Sequence, residues 1–159
     1  MSKRTLKFLG TAAVLASASL LGAQTPIKVG FVYVGPIGDC GWTFQHDLGR
    51  RQLETALKGK VTTQFVENVP EGADSERVIR EMAQSGCKVV FATSFGYMNP
   101  ALNVAKQFPN TVFMHCTGYK TSPNLGQYNG RFYEGRYLTG VVAGRMTKSN
   151  IAGYVASYP

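Results

Sequence analysis

The sequence is short of several things, and each shortage excludes a class of chemistry. Its 159 residues include three cysteines, two histidines and one tryptophan. Cys40, Cys87 and Cys116 form no CxxC pair and none stands at ligand spacing from a histidine, which argues against a zinc site. Gly35, Gly38 and Gly41 follow a GxxGxxG spacing, neither the dinucleotide GxGxxG nor a phosphate loop ending in GK[ST]. No GxSxG elbow and no pair of carboxylates marks an acid–base site. The 18 glycines and 7 prolines show no period, which excludes collagen-like sequence, and 44% hydrophobic residues argue against disorder. Acids are scarce, 9 against 17 Lys and Arg. Three of those bases, Lys3, Arg4 and Lys7, lie in the first 23 positions, leaving 14 against 9 elsewhere. That surplus is spread thinly, with Arg50-Arg51 its longest run, so a solvated basic surface is expected and no nucleic-acid partner.

What is present starts with an export signal. Lys3, Arg4 and Lys7 form a positive start, Phe8 to Gly22 carries no charge, and small residues precede a cut after Ala23. Thr11, Ser17 and Ser19 dilute this stretch below the ~20 apolar residues of a membrane-spanning helix. Leu20-Leu21-Gly22-Ala23 has the form of a lipoprotein box without its cysteine, so no lipid anchor is expected. Residues 24–159 are then expected in the periplasm. Cys87 begins one predicted strand and Cys116 ends another, too far apart to bond, so buried free thiols are expected; Cys40 and Cys116 share one edge of the sheet, and a disulfide is the alternative.

From Ile27 onward apolar runs alternate with helical patterns. Strands are predicted over Ile27–Val34, Lys60–Glu67, Cys87–Thr93, Thr111–Cys116, Leu125–Asn129 and Ile151–Ser157. The first predicted helix is Trp42–Lys58, with Trp42, Leu48, Leu53, Ala56 and Leu57 largely on one face. The second is capped by Asp74 or Ser75, buries Val78, Ile79, Met82 and Ala83, and stops at Gly86. The third has Asn99 as cap with Pro100 at its first position. The fourth, Arg131–Thr147, contains Gly135, Gly140 and Gly144, expected to pack closely on the sheet. This order implies an α/β fold with a doubly wound, mostly parallel sheet between two helical layers. The chain stops directly after its last predicted strand, as expected of a piece of a longer protein.

In such sheets ligands bind beyond the carboxyl ends of the strands, near the point where strand order reverses. Four loops qualify: Gly35–Trp42, Ser94–Met98, Thr117–Ser122 and Gln127–Arg131. They carry Asp39, Trp42, Phe95, Tyr97, Tyr119 and Tyr128. A tryptophan at a cleft mouth favours stacking on a flat ligand, the alternative being that Trp42 staples its helix to the sheet. Asp39 can accept hydrogen bonds from a ligand or hold its own turn. An enzymatic alternative has Cys40 as nucleophile with His46 or His115 as base; an exported ligand-sensing domain of the same fold is a third.

Three stretches carry a resemblance: GFVYVGPIGDCGWTFQHDLGR, FATSFGYMNPALNVAKQFPNTVF and SPNLGQYNGRFYEGRYLTGVVAGRMTKSNIAGYVAS. In order and spacing they resemble the basic-membrane-protein, PnrA-like family of substrate-binding proteins of bacterial ABC importers. The resemblance implies a type I periplasmic-binding-protein fold, a three-layer αβα lobe paired with a second, and a function of binding without catalysis or cofactor. It implies a purine nucleoside or nucleobase as ligand, an inner-membrane permease as partner and a monomeric full-length protein. Residues 24–159 would be the N-terminal lobe, with the crossing to the second near Tyr158-Pro159. The family's first-loop pattern D-x-S-F-N appears as Asp39 to Thr43, with Trp42 in place of the base-stacking Phe and Thr43 in place of Asn. Phe95, Gly96 and Tyr97 then line the adjacent loop, and Thr117 and Tyr128 complete the set. Thr117-Gly118 stands where the family has Asp-Gly, and the loss of that carboxylate suits a bare nucleobase or another flat heterocycle. The mature protein recovered after export is expected to begin at Gln24, which N-terminal sequencing checks.

Overall fold

A computed structural model describes residues 25–156; the expected signal segment 1–23 lies outside them, as do residues 157–159. The elements run β1 (Ile27–Val32), α1 (Trp42–Ala56), β2 (Val61–Val66), α2 (Ala73–Gln84), β3 (Val89–Ala92), α3 (Met98–Gln107), β4 (Val112–Cys116), β5 (Leu125–Tyr128) and α4 (Phe132–Met146). Single 3-10 turns at Ile37–Asp39 and Phe95–Tyr97 precede α1 and α3. The five strands form one sheet in the order β2-β1-β3-β4-β5, and every neighbouring pair is parallel. The chain goes out from β1 to β2 and returns to β3 on the other side of β1. The predicted doubly wound sheet is therefore present, with its reversal point between β1 and β3.

Alternation along the strands sets the layers. Val32, Val90, Ala92, Phe113 and Leu125 bury against Val78, Ile79, Met82 and Ala83 of α2 and Ala101, Val104 and Ala105 of α3. Val29, Phe31 and Tyr33 point to the opposite face, where Leu53 of α1 packs against them. The second helix ends where its sequence says it should: Gly86, at φ 89°, takes a left-handed conformation that a side chain would disfavour.

Several local expectations fail for physical reasons. In α1 the buried residues are Thr43 and Asp47, whereas Leu48 and Leu57 are exposed. The helix meets the sheet through a polar stripe because the sheet offers partners for it. Asp47 accepts from Arg50 Nε at 2.7 Å and from Arg51 Nε at 2.6 Å. Arg50 continues to Thr63 on β2 at 2.9 Å and lies 4.7 Å from the centre of the Phe65 ring. Burial opposes the charge on Asp47, but the two arginines outweigh it and hold the carboxyl below its usual range. Neither Asp74 nor Ser75 caps α2; Gly72 holds that position, and Ser75 Oγ donates to the Gly72 carbonyl at 2.8 Å. Asn99 is not a cap either, because the 3-10 turn runs straight into α3 and places Pro100 in the first turn, where no N–H is required.

The largest departures lie at the C-terminal end. Residues 151–156 form no strand, and Ser157 lies outside the described residues. None of the residues of α4 is buried, and β-carbons built at Gly135, Gly140 and Gly144 meet nothing within 4 Å. These glycines do not pack on the sheet, so the layered body ends with β5. Cys87 and Cys116 are buried free thiols as expected, but Cys40 is exposed.

Replacing Asp47 by Ala leaves the Nε of Arg50, whose side chain is 11% exposed, without its acceptor, while its Nη1 keeps Glu54 at 3.2 Å and Thr63 at 2.9 Å. The variant is expected to lose about 3 kcal/mol of unfolding free energy, measured by denaturant titration.

Candidate functional site

The carboxyl ends of β1, β3, β4 and β5 open into a cavity of about 1060 Å³ that also reaches the first turns of α4. Its wall includes Val34, Trp42, Ser94, Phe95, Thr117, Asn129, Arg131 and Phe132. Of the predicted site residues, it thus brings together Trp42, Phe95 and Thr117, one from each of three of the selected loops.

Trp42 opens α1 and serves two purposes. Its indole N–H donates to the Thr93 carbonyl at the end of β3 at 2.6 Å, tying the helix to the sheet across the reversal point. The ring is half-buried and borders the cavity, with Phe132 at 5.7 Å and His46 at 4.8 Å between ring centres. Phe95 is exposed on the opposite loop, and its ring lies 6.5 Å from that of Tyr119. Thr117 has φ 69°, held by its N–H on the Tyr128 carbonyl at 2.9 Å.

The remaining predicted residues stand behind the wall. Thr43 is buried and its hydroxyl accepts the Gly35 N–H at 3.3 Å, closing the first loop. Tyr97 is buried, donates to the Val69 carbonyl at 2.5 Å, and has its phenol pushed up by burial. Gly96 lies against the Glu71 carboxylate and does not line the cavity. Tyr128 packs edge-on to Phe91 and His46, beneath the opening, with its phenol also raised by burial. Asp39 ends the first 3-10 turn, but its side chain lies outside the described part of the structure.

The sequence reading missed the contribution of α4: Phe132, Glu134, Arg136 and Thr139 also line the cavity. Asn129 and Arg131 fall in the fourth loop that the sheet-edge rule selects; the helix residues beyond were assigned to packing because of their glycines. Arg131 pairs with Glu134 at 3.2 Å, so this side of the cavity is charged while the Trp42 side is aromatic.

The pieces required by the enzymatic alternative are not arranged for it. His46 Nδ1 lies 2.9 Å from the Trp42 carbonyl, and His115 is fully buried with Nε2 2.7 Å from the Ser94 carbonyl. Among the described residues no group of three His, Cys, Asp or Glu could hold a metal ion.

Residues 27–159 match the family model of PnrA-like ABC transporter substrate-binding proteins. The chain belongs to this family. A purine-binding protein of Brucella abortus is 57% identical over 86% of the chain and 39% of its own length. A Haloferax volcanii protein named as a glucose-binding protein of an ABC transporter is 43% identical over 84% of the chain and 34% of its own length. The chain therefore spans between a third and two-fifths of the length of these two relatives. A solved ABC transporter solute-binding protein from Conexibacter woesei superposes with a TM-score of 0.64 at 23% identity, over 74% of this chain and 40% of that one. That likeness establishes the expected solute-binding fold. For a PnrA-like chain the aromatic wall at the sheet edge is the natural place to look for a ligand, and the family is one of binding proteins rather than enzymes.

Burial lowers the proton affinity of both histidines, and the carbonyls of Trp42 and Ser94 only partly oppose it. In the unfolded chain they take up protons near the ordinary value of about 6.5; in the fold they do so only at lower pH. Their contribution to stability is complete above that value and is lost as pH falls toward the folded values. Denaturation midpoints are expected to fall between about pH 7 and pH 5, and less steeply in a His115→Gln variant.

Proposed function

We propose that this chain forms the ligand-holding wall of the substrate-binding component of an ABC importer, and that the ligand is a purine, as nucleoside or nucleobase. The observation that carries the reading is Trp42: its N–H is engaged by Thr93, which fixes the ring in place, and the ring borders the cavity. A fixed aromatic surface suits a flat heterocycle, because stacking then requires no ordering of the side chain. The family membership and the name of the Brucella abortus relative support the same reading. Phe95 offers a second apolar surface, Asn129 and Thr117 offer polar groups for the ring edge, and Asp39 offers an acceptor in the first loop.

We also propose that the cleft has two lobes and that the body through Tyr128 is one of them. α4 then starts the other, a reading supported by the lack of any buried residue in that helix. This moves the crossing from the end of the chain to Asn129–Arg131. The receptor works as a monomer on the outer side of the inner membrane and passes its ligand to a permease. Among the described residues no helix is long and apolar enough to cross a membrane.

A thermal-shift and calorimetric panel of adenine, hypoxanthine, guanosine, inosine, glucose and amino acids tests the ligand class on the protein as its gene encodes it. Stabilisation by purines supports the reading; stabilisation by glucose alone, in keeping with the name of the Haloferax volcanii relative, overturns it. Trp42→Ala is expected to weaken purine binding by about five- to 150-fold, since base stacking is worth about 1–3 kcal/mol.

A further inference from the structure

Glu71 stands in the loop between β2 and α2, outside the cavity wall and outside every motif considered above. Its carboxylate is nevertheless directed at the loop that carries Phe95. Oε1 accepts from the Ser94 hydroxyl at 2.6 Å and from the Gly96 backbone N–H at 3.0 Å. These two bonds bracket Phe95, and a charged acceptor makes both stronger than neutral ones. The fit is close: a β-carbon at position 96 would collide with the Glu71 carboxylate. Any side chain at position 96 would therefore displace the carboxylate or the loop.

The same loop is held at other points. Trp42 Nε1 binds the Thr93 carbonyl, His115 Nε2 lies 2.7 Å from the Ser94 carbonyl, and Tyr97 donates to Val69. His115 also bonds to the backbone of Phe95 itself. Among the described residues, the Glu71 carboxylate is the group that bridges the hydroxyl before Phe95 and the N–H after it.

We propose that Glu71 is a positioning residue for ligand recognition, with Gly96 as the glycine its carboxylate requires. By orienting the two peptides around Phe95 it sets that ring in the cavity wall that Trp42 also lines, although it touches no ligand itself. The loop assignment stands on the contacts above; its consequence for affinity rests on the purine reading.

The test uses Glu71→Ala, Glu71→Gln, Gly96→Ala and the Glu71→Ala/Gly96→Ala double variant, in the protein as its gene encodes it. The Trp42 part of the emission, identified by its loss in Trp42→Phe, is expected to shift and to become more open to acrylamide in all four without ligand. Adenine and inosine affinities are expected to fall about tenfold in Glu71→Ala and less in Glu71→Gln, with melting temperature and far-UV spectrum close to wild type. The double variant is expected to be no worse than the poorer single, because both changes break one contact. Unchanged Trp42 emission in Glu71→Ala, losses that multiply in the double variant, or weakened binding only together with lost secondary structure would each overturn the proposal. Should wild type bind neither adenine nor inosine while the emission shift appears, the purine reading fails and the loop assignment stands.

Discussion

One hydrogen bond, from the Trp42 indole to the Thr93 carbonyl, organises the carboxyl edge of this sheet. It joins the first residue of α1 to the residue just beyond β3, across the gap where the chain reverses its direction of travel through the sheet. Parallel strands with crossover helices leave a crevice at that point, because the helices on either side lead away from it. A tryptophan fits the position for two reasons at once. Its N–H satisfies a carbonyl that the strand ladder leaves over, and its ring supplies an apolar surface too large for the crevice to bury. The same side chain thereby fastens a helix and forms part of the cavity wall, so packing does not keep it from the opening.

Behind this edge the fold is held by two unlike faces. On one, α2 and α3 bury a continuous apolar core against alternate residues of β1, β3, β4 and β5. On the other, α1 meets the sheet through Thr43, Asp47 and Arg50, with Asp47 fully buried beneath two arginines. A buried carboxylate of this kind is a weak source of net stability, because desolvation offsets much of the attraction. Its geometric demand is strict, and it fixes the helix with Trp42 at the sheet edge.

The helix α4 follows different rules. Phe132, Tyr133, Tyr137, Leu138, Val141, Val142 and Met146 surround it rather than forming a stripe, and all are exposed. A helix apolar on every side is one suited to burial on every side. Its first turns complete the cavity while none of its residues is buried against the sheet.

Five of the six predicted strands, their parallel packing and the two-faced sheet were legible from the sequence, since the alternation of apolar runs and helical periods is a local property of the chain; the run at 151–156 has that local pattern but forms no strand. Trp42, Phe95 and Thr117 were legible too, because the ends of parallel strands point to one edge whatever the side chains are. The polar stripe of α1 was not: Leu48, Leu53 and Leu57 give a plausible apolar face, and only the presence of Tyr33 and Thr63 on the facing strands makes Asp47 and Arg50 the better match. Thr43 entered the expected site through the family's first-loop pattern, and Gly96, Tyr97 and Tyr128 through the strand-end loops and the resemblance; none of the four lines the cavity, because neighbouring residues on a helix, strand or turn point in different directions. Glu71 and Arg136 reach the site region from other elements. The sequence by itself thus determined the elements, their order and the edge where the site forms. Which side chains face the cavity was decided only by tertiary packing, because that depends on distances between residues far apart along the chain.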